Sequence, residues 1–358
     1  MLIGGVAVSQ NELRKDYILD RWVVIASQRR KRPSDFSTVK TGDVKNTVCP
    51  FCPGNEHLTP PATLVYVLED GNVRKTLENG ESRCKDWIVR CIPNLYPAFS
   101  AENGQKPTRI FKSTSFHESM KALGFHEVIV ESPIHGEHPS VARKSQLKLV
   151  INAIKDRFHY LSSKEYVKYI SVFRNHGASA GASLSHAHSQ IIATPILPKI
   201  VKEEAEASKN YYESEGRCVF CSIVEEESKS ERFIWKNESF TAFTPWASLN
   251  PFEFWIFPKR HQSSILEMTD FEVEKFAEIL RVGLGGLKRL LNDPPYNLGF
   301  HILPESHYHW HVEVYPKLAI WAGFEKSTGM FINTVPPEDA AEGLKESFKL
   351  EEDALRER

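Results

Sequence analysis

The amino-acid sequence predicts an α+β fold of two tandem domains, each an antiparallel sheet with packed helices. The chain is 358 residues long, which suits two hydrophobic cores better than one. A pattern of cysteines and histidines occurs twice in the same order, and a long amphipathic helix occupies the same place in each copy. We therefore place the first domain at residues 1–200 and the second at residues 201–358.

The repeated pattern consists of a C-x-x-C pair, a lone histidine and a cluster of alternating histidines. The first copy contains Cys49, Cys52, His135, His186 and His188, and the second contains Cys218, Cys221, His261, His307, His309 and His311. Chance placement of the cysteines would give roughly 0.1 C-x-x-C pair. Thiolates and imidazoles are ligands of tetrahedral Zn²⁺, so the pattern indicates two zinc sites. A redox pair or two buried small side chains is the weaker alternative for each pair.

Short strands are predicted on either side of each lone histidine. The apolar runs at residues 128–130 and 255–257 precede a proline and then the lone histidine of their copy. Residues 186–193 and 307–315 alternate in polarity, which puts every second histidine on one face of a strand. Residues 169–173 read as the strand that leads into a glycine-rich segment.

A helix is predicted between the lone histidine and the histidine cluster of each copy. The first begins near Ser140, and the second begins at a capping box formed by Thr269 and Glu272 and ends before Asn292. Their apolar faces contain Leu147, Val150, Ile151, Ile154, Phe158 and Leu161 in the first helix and Val273, Phe276, Leu280, Leu284, Leu287 and Leu291 in the second. Residues 199–217 show no apolar period and are predicted to be the connection between the halves, while the charged tail after Phe348 is predicted to fray.

Composition favours small molecules as partners over nucleic acid or membranes. The 45 basic residues balance 46 acidic ones, so no strong field attracts nucleic acid or anionic lipid. Four of the six cysteines belong to the C-x-x-C pairs, and Cys84 and Cys91 show no disulfide framework, as is typical of a reducing compartment. Without a signal peptide or an apolar run of membrane-spanning length, we expect a cytoplasmic protein with no membrane or nucleic-acid partner.

The first histidine cluster follows a segment rich in glycine and serine, residues 175–185. Alternating histidines could ligate a metal, act as a nucleophile or fill a polar core. Small residues beside them expose backbone N–H groups and hydroxyls that can bind phosphate oxygens. A phosphate next to an imidazole indicates phosphoryl or nucleotidyl transfer through a covalent histidine intermediate.

At these residues the sequence resembles the histidine triad superfamily and, within it, the galactose-1-phosphate uridylyltransferase family, including the similar ADP-glucose phosphorylases. The H-x-H-x-Q element at residues 186–190 carries most of the resemblance, which extends from residues 14–16 through residues 94–98 to residues 323–325. The resemblance implies that each half has a histidine-triad-like fold. It also implies a homodimer that acts on a nucleotide sugar and a hexose 1-phosphate.

The resemblance assigns roles to individual side chains. It implies that His188 is the nucleophile and that Gln190 holds the α-phosphate. The other implied substrate contacts are Ser183 for the β-phosphate, Asn175 for the nucleotide, Arg29 and Arg32 for the acceptor phosphate, Asn94 for the base and Glu325 for sugar hydroxyls. Histidine triad hydrolases usually have His where this chain has Gln190; a neutral amide gives water little acid–base help, which favours a long-lived intermediate.

The resemblance also divides the metal ligands. His186 is implied to complete a zinc site with Cys49, Cys52 and His135, which fixes the strand that carries the nucleophile. The second copy departs from the best-known bacterial members, which place a glutamate and histidines around a different metal. Relatives with a second Cys2His2 zinc select His309, while alignment of the two halves by their prolines selects His307; we favour His309, with Cys218, Cys221 and His261. We expect two zinc ions per chain, the second structural.

The leading hypothesis for function is a UDP-glucose:hexose-1-phosphate uridylyltransferase that acts by ping-pong exchange between UDP-glucose and galactose 1-phosphate. The close alternative is an ADP-glucose phosphorylase or adenylyltransferase that uses the same nucleophile. A nucleotide hydrolase is disfavoured by Gln190, and a non-catalytic zinc-binding module is disfavoured by the near-zero net charge.

Overall fold

A computed structural model describes residues 11–25, 48–80, 82–101, 109–114 and 117–357. Its strands are β1 (Glu12–Lys15), β2 (Trp22–Ile25), β3 (Leu64–Glu69), β4 (Asn72–Thr76), β5 (Trp87–Pro93), β6 (Arg109–Thr114), β7 (His117–Met120), β8 (Phe125–Val130), β9 (Tyr169–His176), β10 (His188–Thr194), β11 (Phe233–Lys236), β12 (Phe240–Phe243), β13 (Phe254–Pro258), β14 (Tyr296–His301), β15 (His311–Pro316) and β16 (Phe331–Asn333). Its α-helices are α1 (Lys144–Ser162), α2 (Lys199–Glu215), α3 (Val219–Glu227), α4 (Asp270–Leu291), α5 (Gly323–Thr328) and α6 (Pro337–Arg356).

The two halves share one antiparallel sheet. Eleven strands lie in the order β11-β12-β13-β15-β14-β9-β10-β8-β5-β3-β4. Strand β14 of the second half pairs with β9 of the first, with Leu298 opposite Arg174. The predicted α+β class and the antiparallel sheet of each half are therefore confirmed, and the two half-sheets are joined edge to edge at their inner strands. The boundary between residues 200 and 201 falls in the first turn of α2 and stays a prediction.

Helices α1, α4 and α6 pack together and contribute to one hydrophobic cluster that also contains residues of both half-sheets. The predicted capping box of α4 is present, because the side chain of Thr269 accepts from the N–H of Glu272 and Glu272 bonds back to Thr269. Gly286 lets α6 approach closely, since a Cβ there would lie 2.6 Å from the Phe348 ring. The first long helix begins at Lys144, four residues after the predicted start.

Two segments that the sequence suggested to be irregular are helical. Residues 199–215 form α2, whose buried positions are Val201, Glu204 and Ser208. Two of these three are polar, so the apolar period that normally marks a helix is missing. The tail after Phe348 continues α6, where buried Glu351 accepts from Arg281 and Arg289.

The predicted histidine strands begin later than expected. Strand β10 starts at His188 and β15 starts at His311, so His186, His307 and His309 all precede their strands. These residues lie in the loop that enters each strand, where their side chains can turn toward the C-x-x-C segment. A smaller sheet, β1-β2-β16, joins the N-terminal segment to the C-terminal half. Across the described ranges, no helix combines the length and the apolar character that crossing a membrane would need.

Candidate active site and metal sites

The four side chains of the first predicted metal site meet in space. The ligand-type atoms of Cys49, Cys52, His135 and His186 all lie within 4.8 Å of one another. Nδ1 of His186 is 3.6 Å from both sulfurs, and Nδ1 of His135 is 3.3 Å from Sγ of Cys52. Nε2 of His186 lies 2.8 Å from the carbonyl oxygen of Ser132, to which it donates. This hydrogen bond leaves the lone pair of His186 on Nδ1, the nitrogen that faces the sulfurs.

This geometry fits a tetrahedral zinc ion. Zinc bonds of about 2.3 Å to sulfur and 2.0 Å to nitrogen at tetrahedral angles separate the two ligand atoms by about 3.5 Å. The sulfur–nitrogen distances here are 3.3–3.6 Å. A zinc ion bound by all four would have no open position for water, and its contribution would be to fix the loop that precedes β10.

The second group contains Cys218, Cys221, His261 and His309. Sγ of Cys221 lies 3.3 Å from Nδ1 of His261 and 3.5 Å from Nδ1 of His309. A hydrogen bond from Cys221 lowers the pKa of Cys218 to about 6, so a thiolate, the form that binds zinc, is available near neutral pH. His307 does not belong to this group, and its carbonyl oxygen instead accepts from the hydroxyl of Ser208.

The proposed nucleophile has one nitrogen anchored. Nδ1 of His188 lies 2.8 Å from the carbonyl oxygen of His186, so this nitrogen carries the proton and donates. The lone pair is therefore on Nε2. Burial lowers the pKa of His188, which keeps the ring neutral, as a nucleophile must be.

A phenylalanine inside each C-x-x-C segment packs against the last histidine of its copy, a contact that was not predicted from the sequence. The Phe51 ring lies 5.6 Å from the His188 ring and 6.0 Å from the His186 ring, in edge-on geometry. Phe220 lies 5.2 Å from His311 in the second half. The signal was present in the sequence, because both pairs read C-x-F-C. The cysteine loop thus packs directly against His188, the predicted nucleophile.

Gln190 is part of a polar chain across the sheet. Its Oε1 lies 2.8 Å from Nε2 of His126, which is 3.1 Å from Nδ2 of Asn94. The side chain expected to hold the α-phosphate and the side chain expected to meet the base therefore share one neighbour. His126 lies between them, and no motif in the sequence marked it.

Asn175 is held by a residue of the second half. Nδ2 of Asn297 donates to Oδ1 of Asn175 and to the carbonyl oxygen of Ala180, both at 2.8 Å. The two asparagines face each other where β9 pairs with β14. Because its oxygen is occupied, Asn175 is left with its NH2 group to offer a ligand. Ser183 is exposed and lies in the glycine- and serine-rich segment between β9 and β10.

Of the remaining predicted contacts, two are not described and one lies apart from this cluster. Arg29 and Arg32 lie outside the described residues. Glu325 is half-buried in the first turn of α5, where it accepts from the N–H of Ala322 at 2.9 Å. Within the described part of the chain, no hydrogen bond joins Glu325 to Gln190 or His188.

Comparisons with known proteins agree with this arrangement. Residues 136–355 match a family described as a domain of unknown function, DUF4921. The chain is 36% identical to an ADP-glucose phosphorylase of Arabidopsis thaliana over 345 residues, which cover 94% of this chain and 92% of the relative. It is 32% identical to the galactose-1-phosphate uridylyltransferase of Thermotoga maritima over 349 residues, covering 94% and 98%. The chain belongs to the galactose-1-phosphate uridylyltransferase family.

Solved structures of this family share the whole architecture. The crystal structure of the ADP-glucose phosphorylase from Arabidopsis thaliana with bound ADP-glucose gives a TM-score of 0.75 at 31% identity and covers 94% of this chain and 99% of the other. A uridylyltransferase structure gives 0.71 at 29% identity, covering 95% and 99%. As a member of this family, the chain is an enzyme of the nucleotidyltransferase type.

The second half contains a third group of ligand-type side chains, His301, His311 and Glu313. His311 and Glu313 stand at the start of β15 as His188 and Gln190 stand at the start of β10. Nδ1 of His311 faces the carbonyl oxygen of His309 at 3.1 Å, the counterpart of the contact between His188 and His186. Nδ1 of His301 lies 3.1 Å from both carboxylate oxygens of Glu204. Burial lowers the pKa of His301, but the carboxylates of Glu204 and Glu313 outweigh it and raise the pKa to about 9. Opposite charges therefore compensate one another in this cluster.

Proposed function

We propose that this enzyme transfers a nucleotidyl group from a nucleotide sugar to a phosphate acceptor through a covalent bond to His188. The observation that carries the proposal is the orientation of the His188 ring: Nδ1 is tied to the carbonyl oxygen of His186 at 2.8 Å, which leaves the lone pair on Nε2. A neutral imidazole with one anchored nitrogen is a suitable nucleophile.

The reaction proceeds in two displacements at the α-phosphorus. Nε2 of His188 attacks, a P–N bond forms, and the P–O bond to the sugar phosphate breaks, so hexose 1-phosphate leaves with the electron pair. A phosphate oxygen of the acceptor then attacks the same phosphorus, and the P–N bond breaks to return neutral His188. Gln190 donates to the phosphoryl oxygens, and Ser183, Arg29 and Arg32 are proposed to bind the other phosphates. Asn94 and Asn175 are proposed for the nucleoside, and Glu325 for sugar hydroxyls.

For the substrates, we propose UDP-glucose as donor and galactose 1-phosphate as acceptor. Support comes from the Thermotoga maritima relative, which matches nearly end to end. The second candidate is ADP-glucose with inorganic phosphate as acceptor. It is favoured by the 36% identity to the Arabidopsis thaliana phosphorylase and by the likeness to the structure with bound ADP-glucose.

One set of measurements decides between the two pairs of donor and acceptor substrates. The value of kcat/KM is determined for UDP-glucose and ADP-glucose, each with galactose 1-phosphate and with phosphate as acceptor. Incubation with donor carrying a labelled α-phosphate tests the common mechanism: stable labelled protein supports transfer, steady release of nucleoside monophosphate supports hydrolysis, and no label overturns the proposal.

We propose two structural zinc ions per chain, one held by Cys49, Cys52, His135 and His186 and one by Cys218, Cys221, His261 and His309. The first would preorganise the strand that carries His188. Homodimerisation stays a prediction, and sedimentation of the purified enzyme tests it.

A further inference from the structure

His126 lies on β8 beside the strand that carries the nucleophile. Strands β8 and β10 pair antiparallel with His126 opposite Ile192 and Val128 opposite Gln190. Alternate residues of a strand share a face, so His126 and Gln190 are diagonal neighbours on the face that also presents His188. The distance of 2.8 Å between Nε2 of His126 and Oε1 of Gln190 is that of a good hydrogen bond.

A backbone N–H decides which nitrogen of His126 carries the proton. The N–H of Ala98 points at Nδ1 of His126, with the nitrogens 3.1 Å apart. A backbone donor cannot be flipped, so Nδ1 must be the acceptor. If Nδ1 carried a proton, as in the other neutral tautomer or in the doubly protonated ring, its N–H would face the N–H of Ala98, and neither group could accept. The proton of the neutral ring is therefore on Nε2, which faces Gln190.

The amide of Asn94 does not compete for this proton. Oδ1 of Asn94 accepts from the N–H of Tyr96 at 2.9 Å, so Asn94 presents its NH2 group to His126, 3.1 Å from Nε2, and offers it no acceptor. This approach of two donors is unfavourable, but a reversed Asn94 amide would set its NH2 group against the backbone N–H of Tyr96 instead. Within the described ranges, Oε1 of Gln190 is then the side-chain acceptor that Nε2–H can reach. A flipped Gln190 would place its NH2 group against the N–H of His126, and an N–H facing an NH2 group is unfavourable.

We propose that His126 is a positioning residue that sets the orientation of the Gln190 amide. With Oε1 held by His126, the NH2 group of Gln190 is left for the phosphoryl oxygens at His188, where it stabilises charge as the P–N bond forms and breaks. His126 touches neither the substrate nor His188 in this proposal and acts through Gln190. The inference rests on the proposed function, because it supposes nucleotidyl transfer at His188.

A double-mutant cycle on the full chain tests this role. The single-turnover rate constant for labelling of the protein by a nucleotide sugar with a labelled α-phosphate is measured for the wild type, His126→Leu, Gln190→Ala and the double variant. We expect His126→Leu to slow labelling about tenfold, the scale of one hydrogen bond, but less than twofold when Gln190 is already Ala. An equal loss in both backgrounds would overturn the proposal. His126→Gln, which keeps a donor near the position of Nε2, should recover most of the rate.

A spectroscopic measurement tests the same hydrogen bond without activity. Long-range proton–nitrogen spectra of the enzyme with nitrogen-15 histidine, assigned by the signals lost in His126→Gln, should show the Nε2–H tautomer for His126. The Nδ1–H tautomer would overturn the proposal even if His126→Leu fails to fold. Absence of label in the wild type with both UDP-glucose and ADP-glucose would instead refute the proposed function, and the spectrum would still decide the hydrogen bond.

Discussion

Nδ1 of His188 lies 2.8 Å from the carbonyl oxygen of His186, the residue whose own Nδ1 faces the two cysteines of the first metal group. The proposed metal ligand His186 and the proposed nucleophile His188 are thus coupled through one short loop. The backbone carbonyl fixes the tautomer of His188, and the proposed metal fixes the residue that supplies the carbonyl. This coupling gives a physical reason for the two roles that the family resemblance implies, in which His186 binds the metal and His188, two residues later, is the nucleophile.

Replacing the proposed nucleophile should remove chemistry and spare the fold. We expect His188→Asn to lower nucleotidyl transfer by a factor on the order of 10⁴ or more, because Asn offers no Nε2 lone pair. Zinc content and melting temperature should stay close to those of the wild type. His159→Asn, an exchange at an exposed position of α1, is the control. Persistent covalent label in His188→Asn would identify another nucleophile.

The side chain at position 190 should control the fate of the intermediate. A histidine there can exchange protons with water near pH 7, whereas an amide cannot. We expect Gln190→His to raise the ratio of nucleotide-sugar hydrolysis to exchange with hexose 1-phosphate. Gln190→Asn keeps a neutral amide and should leave this ratio unchanged. The measurement is product analysis with labelled donor, and an unaltered ratio in Gln190→His would contradict the role given to the amide.

Metal analysis of single variants should separate the two zinc sites. We expect about two zinc ions per wild-type chain, one after His309→Ala and two after His307→Ala, because His309 faces Cys221 and His307 does not. Structural zinc contributes on the order of 10 kcal/mol, comparable to the stability of a domain, so His309→Ala should melt at a markedly lower temperature. His186→Ala should lose one zinc and activity together. Loss of zinc in His307→Ala alone would favour the alignment of the two halves by their prolines.

The sequence predicted which cysteines and histidines come together, because a repeated pattern constrains each group twice. The roles of His126 and Asn297 could not be predicted, because their partners lie on other strands. The register between strands that are distant in the chain cannot be inferred from local sequence. Helix α2 was missed because Glu204 and Ser208 take buried positions that an apolar pattern would need. The end of α6 was predicted to fray for the same reason, because its buried position is occupied by the charged Glu351, which is paired with Arg281 and Arg289.

The joint between the half-sheets should matter for substrate binding. Asn297 on β14 holds the oxygen of Asn175 on β9, so Asn297→Ala frees the Asn175 amide to rotate. We expect KM for the nucleotide sugar to rise about tenfold, the scale of one hydrogen bond, with a smaller change in kcat. Asn72→Ala, on the far edge strand β4, is the control. Steady-state kinetics that show unchanged KM would mean that Asn175 does not bind the nucleotide through its amide.

The charged cluster around His301 should make the stability of the fold depend on pH. The pKa of His301 is raised from 6.5 to about 9, since the carboxylates of Glu204 and Glu313 outweigh the effect of burial. The folded state therefore holds this proton more tightly than the unfolded chain, and the resulting stabilisation is complete below pH 6.5 and is lost as the pH rises through 9. The shift corresponds to at most about 3 kcal/mol. We expect His301→Asn to lower the free energy of unfolding strongly at pH 6 and much less at pH 9.5, measured by urea denaturation beside the exposed-site control His159→Asn. A deficit that is equal at both pH values would show that the charge on His301 does not stabilise the fold.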